Sequence, residues 1–326
     1  GSGADATVYT IAVQDFALST STGVNNYTSA TISGTTPSCA IVIGSAHDPA
    51  NDPGETAAAG MCIGFITTTD RCVLMGSADN VADSNGGRGL DSASGFKMVN
   101  AAASAIDVDS DGSLISGGVS LDYSNAATTA WRASFVAFTA ATNATAGSRN
   151  LGTGTSAQTI TTSFAADVVF FGFDGAGETT AVNGISQIGF GVATSDGTQR
   201  CLGFGEAAAN ATSAQVMSLV TTNCAFDFNL GTLAKRYGVT ASNFTGTTFD
   251  VTCSSSSYTR LAWSRSSTSS WWAKPTRWLS RSIVDPSVAC TKMHDGPDAY
   301  CAGCATSQKY YNELGDEKMG KLFWRK

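Results

Sequence analysis

Ile63-Gly64-Phe65, followed by Arg71-Cys72, recurs downstream as Ile188-Gly189-Phe190 followed by Arg200-Cys201. The surroundings recur with it. Upstream, Ala40-Ile41-Val42-Ile43-Gly44 is matched by Val168-Val169-Phe170-Phe171-Gly172, and Tyr27-Thr28-Ser29-Ala30-Thr31-Ile32 by Gln158-Thr159-Ile160-Thr161-Thr162. Downstream, Val119-Ser120-Leu121-Asp122-Tyr123 corresponds to Phe249-Asp250-Val251-Thr252-Cys253. Each copy then closes on an aromatic-rich strand, Trp131 to Phe138 and Tyr258 to Trp263. The spacing is 127 residues between Ile41 and Val168 and 125 between Ile63 and Ile188. A near-constant spacing marks a duplicated structural unit whose loops vary in length while its strands do not.

Within each copy the apolar runs are short and rich in Val, Ile, Phe and Thr. Turn residues separate them, as in Asp83-Ser84-Asn85-Gly86-Gly87, Asp109-Ser110-Asp111-Gly112 and Ser195-Asp196-Gly197. Apolar and polar residues alternate in Thr7-Val8-Tyr9-Thr10-Ile11-Ala12-Val13 and in Ala133-Ser134-Phe135-Val136-Ala137-Phe138. Period two with Gly and Asp punctuation predicts antiparallel sandwiches. The expected fold is therefore all-β: two tandem antiparallel, jelly-roll-like β-sandwich domains, residues 1–140 and 141–268, and a small C-terminal segment, 269–326.

Composition narrows the function classes. The chain has 326 residues, of which 14% are charged, against roughly 25% in an ordinary soluble protein. Glycine is abundant, with 35 residues, and only two His occur, which starves most acid–base chemistry. No apolar run approaches the ~18 residues of a membrane helix, and Gly1-Ser2-Gly3-Ala4 reads as a processed start or a cloning remnant. Up to Ser269 there are 10 Lys and Arg against 20 Asp and Glu; from Ser270 the balance is 9 against 6. The acidic body lacks the basic stripe that displaces counterions from phosphates, so nucleic acid is not expected as a partner. The last 57 residues hold nearly half the basic residues and four of the six Trp.

The order of elements carries a likeness. A strand ending in Val/Ile-Phe-Phe-Gly, an Ile-Gly-Phe strand, an Arg-Cys strand, a polar loop, Asp-x-Asp-Gly and a closing aromatic strand together resemble the tandem β-sandwich repeats of virion structural proteins of tailed bacteriophages. The likeness covers most of Thr7 to Ser266, once per copy. In the second copy Phe228-Asn229-Leu230-Gly231 and Ala234-Lys235-Arg236-Tyr237 replace the Asp-x-Asp-Gly turn. It implies a non-enzymatic viral protein found in the virion: a tail-associated subunit, a fibre or a capsid (head) decoration. Its partners would be other virion subunits and copies of itself. The alternative is a carbohydrate-binding adhesin with tandem lectin-like sandwiches, using Tyr27, Tyr123 or Trp131 to stack on a host surface glycan.

The sharpest chemical cluster is Cys290, His294, Cys301 and Cys304, spaced C-x3-H-x6-C-x2-C. Four soft ligands this close can surround a structural Zn²⁺ and staple a segment short of aliphatic core. A Cys301–Cys304 disulfide or free thiols are the other readings. In the same segment Trp271, Trp272 and Trp278, with Arg277 and Arg281, form a candidate docking patch, since Trp and Arg dominate interface hot spots. Asp107, Asp109 and Asp111, followed by Gly112, match the first half of a calcium loop, but position twelve is Gly118 where a bidentate Glu should sit. An Asp-rich hairpin turn is the plainer reading. His47-Asp48-Pro49 and Asp52-Pro53-Gly54-Glu55 read as a stiff surface loop. Cys39, Cys62, Cys72, Cys201, Cys224 and Cys253 lie in apolar runs, three per copy. Free buried thiols are expected there, and folding in a reducing compartment such as a bacterial cytoplasm. Four Asn-x-Thr sequons, at Asn26, Asn143, Asn210 and Asn243, matter only in a secretory setting.

Overall fold

The computed structural model describes residues 10–45, 58–78, 85–99, 105–139, 143–151, 155–174, 185–207, 214–229, 234–254 and 260–267. The chain divides into two units, Gly1–Ser269 and Ser270–Lys326, and every described residue belongs to the first. The fold is all-β. Its strands are β1 (Ile11–Ala17), β2 (Gly23–Thr28), β3 (Cys39–Ser45), β4 (Ala58–Ile66), β5 (Asp70–Ala78), β6 (Asn85–Asp91), β7 (Phe96–Val99), β8 (Ile106–Ile115), β9 (Gly118–Asn125) and β10 (Arg132–Phe138). They continue as β11 (Asn143–Asn150), β12 (Gln158–Thr161), β13 (Val168–Asp174), β14 (Ile185–Thr194), β15 (Gln199–Ala207), β16 (Ala214–Val220), β17 (Ala225–Asn229), β18 (Ala234–Ser242), β19 (Thr248–Cys253) and β20 (Arg260–Ser267). The one helical element among the described residues is a single 3-10 turn, Ala30–Ile32, and no described helix is long and apolar enough to cross a membrane.

Four antiparallel sheets result. Sheet I has the order β1-β10-β3-β4-β5-β6 and sheet II the order β2-β9-β8-β7. Sheets III (β11-β20-β13-β14-β15-β16) and IV (β12-β19-β18-β17) repeat those two orders strand for strand. The outer strands cross between sheets as in a jelly roll, β1 and β2 pairing with β10 and β9. By contrast β3 to β6 stay in one sheet as a meander, which a jelly roll would split between two.

Each sheet pair closes on its own core. Ala12, Phe16, Val42, Cys62, Leu74 and Phe135 of sheet I meet Phe96, Val108, Leu121 and Tyr123 of sheet II. Val169, Phe171 and Cys201 of sheet III meet Phe226, Phe228, Val239, Phe249 and Val251 of sheet IV. The outward faces of sheets I and III are apolar too, and they pack against each other. Phe138 lies 5.8 Å from Phe170, ring to ring, and Thr69 Oγ1 donates to the Ala146 carbonyl at 3.0 Å. At Gly172 the layers approach closely: a Cβ there would sit 2.7 Å from Val73 and 2.9 Å from Phe65. Ile41, Ile63, Phe65 and Val73 are buried in this second layer and contribute to neither core. Burial on both faces explains why β3, β4 and β5 read as near-continuous apolar runs.

The pairing registers fix which residues correspond. Arg71-Cys72 and Arg200-Cys201 are equivalent, as are Val119-Leu121-Tyr123 and Phe249-Val251-Cys253. The Ile-Gly-Phe match is displaced by two residues. The structural equivalent of Gly64 is Gly191, because a Cβ on either would meet a backbone oxygen, Gly95 at 1.9 Å and Cys224 at 1.8 Å. The tight turn after β4 accounts for this: Thr67-Thr68-Thr69 in the first copy becomes the longer Thr194-Ser195-Asp196-Gly197-Thr198 in the second. Both turns close through the same bond, Thr67 N–H to Thr69 O and Thr194 N–H to Thr198 O.

Two expected turns are strands. Asn85-Gly86-Gly87 belongs to β6, with Asp83 and Ser84 outside the described residues, and Asp109-Ser110-Asp111-Gly112 lies inside β8. β8 is paired on both sides, to β7 and β9, so its backbone is committed to two ladders whatever its side-chain polarity. Gly112 is there for closeness, since a Cβ would strike Ile66 at 2.7 Å. The second copy keeps this element as β18, and even its bulge: the ladder shifts at Met98/Val99 and again at Asp227/Phe228. Ser195-Asp196-Gly197 is a turn as expected, with Gly197 at φ +88.

Candidate functional site

Among the described residues the densest polar cluster is built around Lys97, one of two lysines before Ser269. It sits in β7 directly across from Asp109 of β8, where the chain has just passed from β6 of sheet I to sheet II. Lys97 Nζ donates to Asp91 Oδ2 at 2.7 Å and lies 2.9 Å from Asp109 Oδ2. The side chains are 11%, 17% and 28% exposed for Lys97, Asp91 and Asp109. Both carboxylates are held from behind. Asp91 Oδ1 accepts the backbone N–H groups of Ala93 at 2.7 Å and Ser94 at 2.9 Å, and Asp109 Oδ1 accepts Ser94 Oγ at 2.6 Å.

Charge balance in the cluster favours ions. Burial alone would lower the Lys97 ammonium, but the two carboxylates outweigh it and raise its pKa. Burial likewise works to raise the Asp91 carboxyl, while Lys97 and the Ala93 and Ser94 N–H groups hold it below its ordinary value. Cys62 and Cys72 border the cluster: the Lys97 backbone N–H donates to Cys62 Sγ at 3.4 Å. A hydrogen bond with Cys62 and burial push the Cys72 thiol well above its ordinary value. Burial takes Cys39 up to about 12. The six cysteines of the sheets are buried. Burial raises the Cys224 and Cys253 thiols as well, and thiols held protonated like those of Cys39, Cys72, Cys224 and Cys253 are poor nucleophiles.

By register, Asp91, Lys97 and Asp109 correspond to Val220, Phe226 and Gly238 in the second copy. There the Phe226 ring fills the space: a Cβ on Gly203, the equivalent of Leu74, would sit 2.6 Å from it. The charged cluster belongs to the first copy alone. A second polar tie is shared. Asp70 Oδ2 accepts the Gly112 N–H at 2.6 Å, and at the equivalent position Gln199 Oε1 accepts the Ala241 N–H at 2.8 Å. Each links the start of the β5-type strand to the facing sheet.

The remaining expected residues fall as follows. The Asp107-Asp109-Asp111 segment is extended, so it does not fold back into a calcium loop: Asp107 Oδ2 accepts Thr128 N–H and Oγ1, Asp109 pairs with Lys97, and Asp111 is exposed. Among the described residues no group of three or more His, Cys, Asp or Glu converges to hold a metal. Tyr123 and Trp131 are buried core residues, and Tyr27 is half-buried, stacked on Phe16 at 3.9 Å with its hydroxyl 2.9 Å from that of Tyr123. Inside the core Tyr123 and Trp131 present no face for a sugar, which corrects their assignment as stacking residues; Tyr27 has its ring stacked on Phe16. Cys290, His294, Cys301, Cys304, Trp271, Trp272, Arg277, Trp278 and Arg281 lie outside the described residues, as does the loop carrying His47. Sequence reading missed Lys97; its signal was a lone lysine within the apolar run Phe96-Lys97-Met98-Val99 of an acidic body. Comparison of the chain with protein-family models, with curated proteins and with solved structures gives no match.

Proposed function

We propose that the chain is a non-enzymatic structural protein of a bacteriophage virion, as a head decoration, tail-associated or fibre subunit. In this reading two tandem copies of one jelly-roll-like sandwich form the body, and the basic, aromatic segment 269–326 docks it to other subunits. Trp271, Trp272, Arg277, Trp278 and Arg281 make that contact, and Cys290, His294, Cys301 and Cys304 hold a structural zinc. The observation that carries the reading is the ten-strand unit whose strand order recurs, with the two copies packed on their outer sheets. Such a body is a rigid, low-charge spacer. Exposed Ile11, Val13 and Ile43 lie on the same outward face of sheet I and offer apolar surface to a neighbouring copy.

The test is direct. Purified particles that carry the gene, analysed by quantitative mass spectrometry, should contain the chain in stoichiometric copy number, and antibody against it should label one fixed position in electron micrographs. Absence from the particles overturns the reading.

A further inference from the structure

We infer that Lys97 and Asp91 are joined by an intramolecular isopeptide bond, formed by the protein itself with Asp109 as the catalytic residue. The cluster has each part that such a condensation needs. The nucleophile, Lys97 Nζ, lies 2.7 Å from an oxygen of the carboxyl it would attack. The base, Asp109, lies 2.9 Å from the same nitrogen and is oriented through its other oxygen by Ser94 Oγ. Opposite the attack, Asp91 Oδ1 already faces two backbone N–H groups, those of Ala93 and Ser94. Paired N–H donors aimed at an oxygen that gains charge are the arrangement that stabilises a tetrahedral intermediate. Held reactants also replace the entropy loss of an encounter.

The step balances without a co-reactant. One ammonium proton passes from Nζ to Asp91 Oδ2, leaving a neutral amine and a neutral acid. The nitrogen attacks Asp91 Cγ, the C–N bond forms, and Oδ1 carries the negative charge against the Ala93 and Ser94 N–H groups. A second proton moves from nitrogen to Asp109. Collapse breaks the Cγ–Oδ2 bond, and the departing hydroxyl takes that proton from Asp109 and leaves as water. One proton stays on the amide nitrogen, Asp109 ends as it began, and an ion pair has become an amide plus water. Asp109 is the base and Asp91 the acceptor because only Asp91 has the two backbone donors. The amide would covalently tie the end of β6 in sheet I to β7 in sheet II. The second copy, with Val220, Phe226 and Gly238 at these positions, cannot form it.

Intact-mass measurement of the purified full-length chain is the test. The expected mass is lower than the sequence mass by one water. Trypsin should then leave residues 89–132 as a single peptide uncut after Lys97, with fragment ions placing the link between Asp91 and Lys97. Asp109→Asn, verified as folded by its melting transition, should keep the full sequence mass and be cut after Lys97. A wild-type chain at full mass that is cleaved normally overturns the proposal and leaves a salt bridge only. So does a water loss with normal cleavage after Lys97, which marks a succinimide elsewhere, and so does a link mapped to Asp109. Each outcome is independent of whether the chain is found in particles.

Discussion

Asp70 and Gln199 do the same structural work with different charge. Each accepts a backbone N–H from the facing sheet, but burial and the nearby Asp111 raise the Asp70 carboxyl above its ordinary value, with the Gly112 N–H opposing them. A carboxyl raised by folding contributes stability while protonated, below its ordinary pKa of about 4, and loses it as pH rises through the folded value. Asp70→Asn, which copies the neutral amide of the second repeat, should therefore melt higher than the parent at pH 7. The gap should close below about pH 4, as followed by thermal melts across pH; a gap independent of pH would show that the charge is not the cost. At this scale the sequence shows residue types but not pairings. Asp109 looked like a turn or ligand residue because its partner, Lys97, becomes its neighbour only through the β7–β8 ladder. Tyr123 and Trp131 read as sugar-stacking aromatics for a related reason: nothing local says whether such a side chain faces the core or the solvent.

Strands announced themselves by alternation, and the repeat announced their order. What stayed hidden was which polar stretches are also strands. β8 carries three Asp and a Gly yet is central to sheet II, because pairing on both edges satisfies its backbone. True turns differ in conformation. Between β18 and β19, Asn243 adopts φ +51, the left-handed region, and its Nδ2 donates to Asp250 Oδ2 at 2.8 Å. Asn tolerates that region better than most side chains, and a left-handed L-residue otherwise costs about 1–2 kcal/mol. Asn243→Ala should lower stability by about 1 kcal/mol while Asn243→Gly costs less, as read from denaturant midpoints. An equal loss in both would mean that the Asp250 contact, not the backbone, carries the effect.

Across the whole body, duplication was legible in the order of short motifs, but the apolar layer between sheets I and III was not. A sandwich expects one buried face per sheet, and the second buried face hid in strands that look merely hydrophobic. Gly172 marks it. Gly172→Val would drive methyl groups into Val73 and Phe65, and overpacking of this kind costs about 1–3 kcal/mol. Because the layer joins both copies, the parent should unfold in one calorimetric transition, and Gly172→Val should split it in two. A single unshifted transition in the variant would show that the layer contributes no coupling. The displaced match at Gly64 and Gly191 has a consequence of its own. The connection into β4 is shorter by two residues in the second copy and the turn out of it longer by two, so the strand has slid one full pleat like a vernier against its neighbours. Pleat parity makes steps of two harmless and steps of one ruinous, because a single step would turn every core residue of the strand outward. Paired changes in the two connections that slide β4 should therefore be tolerated in steps of two and not of one, whereas an insertion absorbed within a loop is free of that parity.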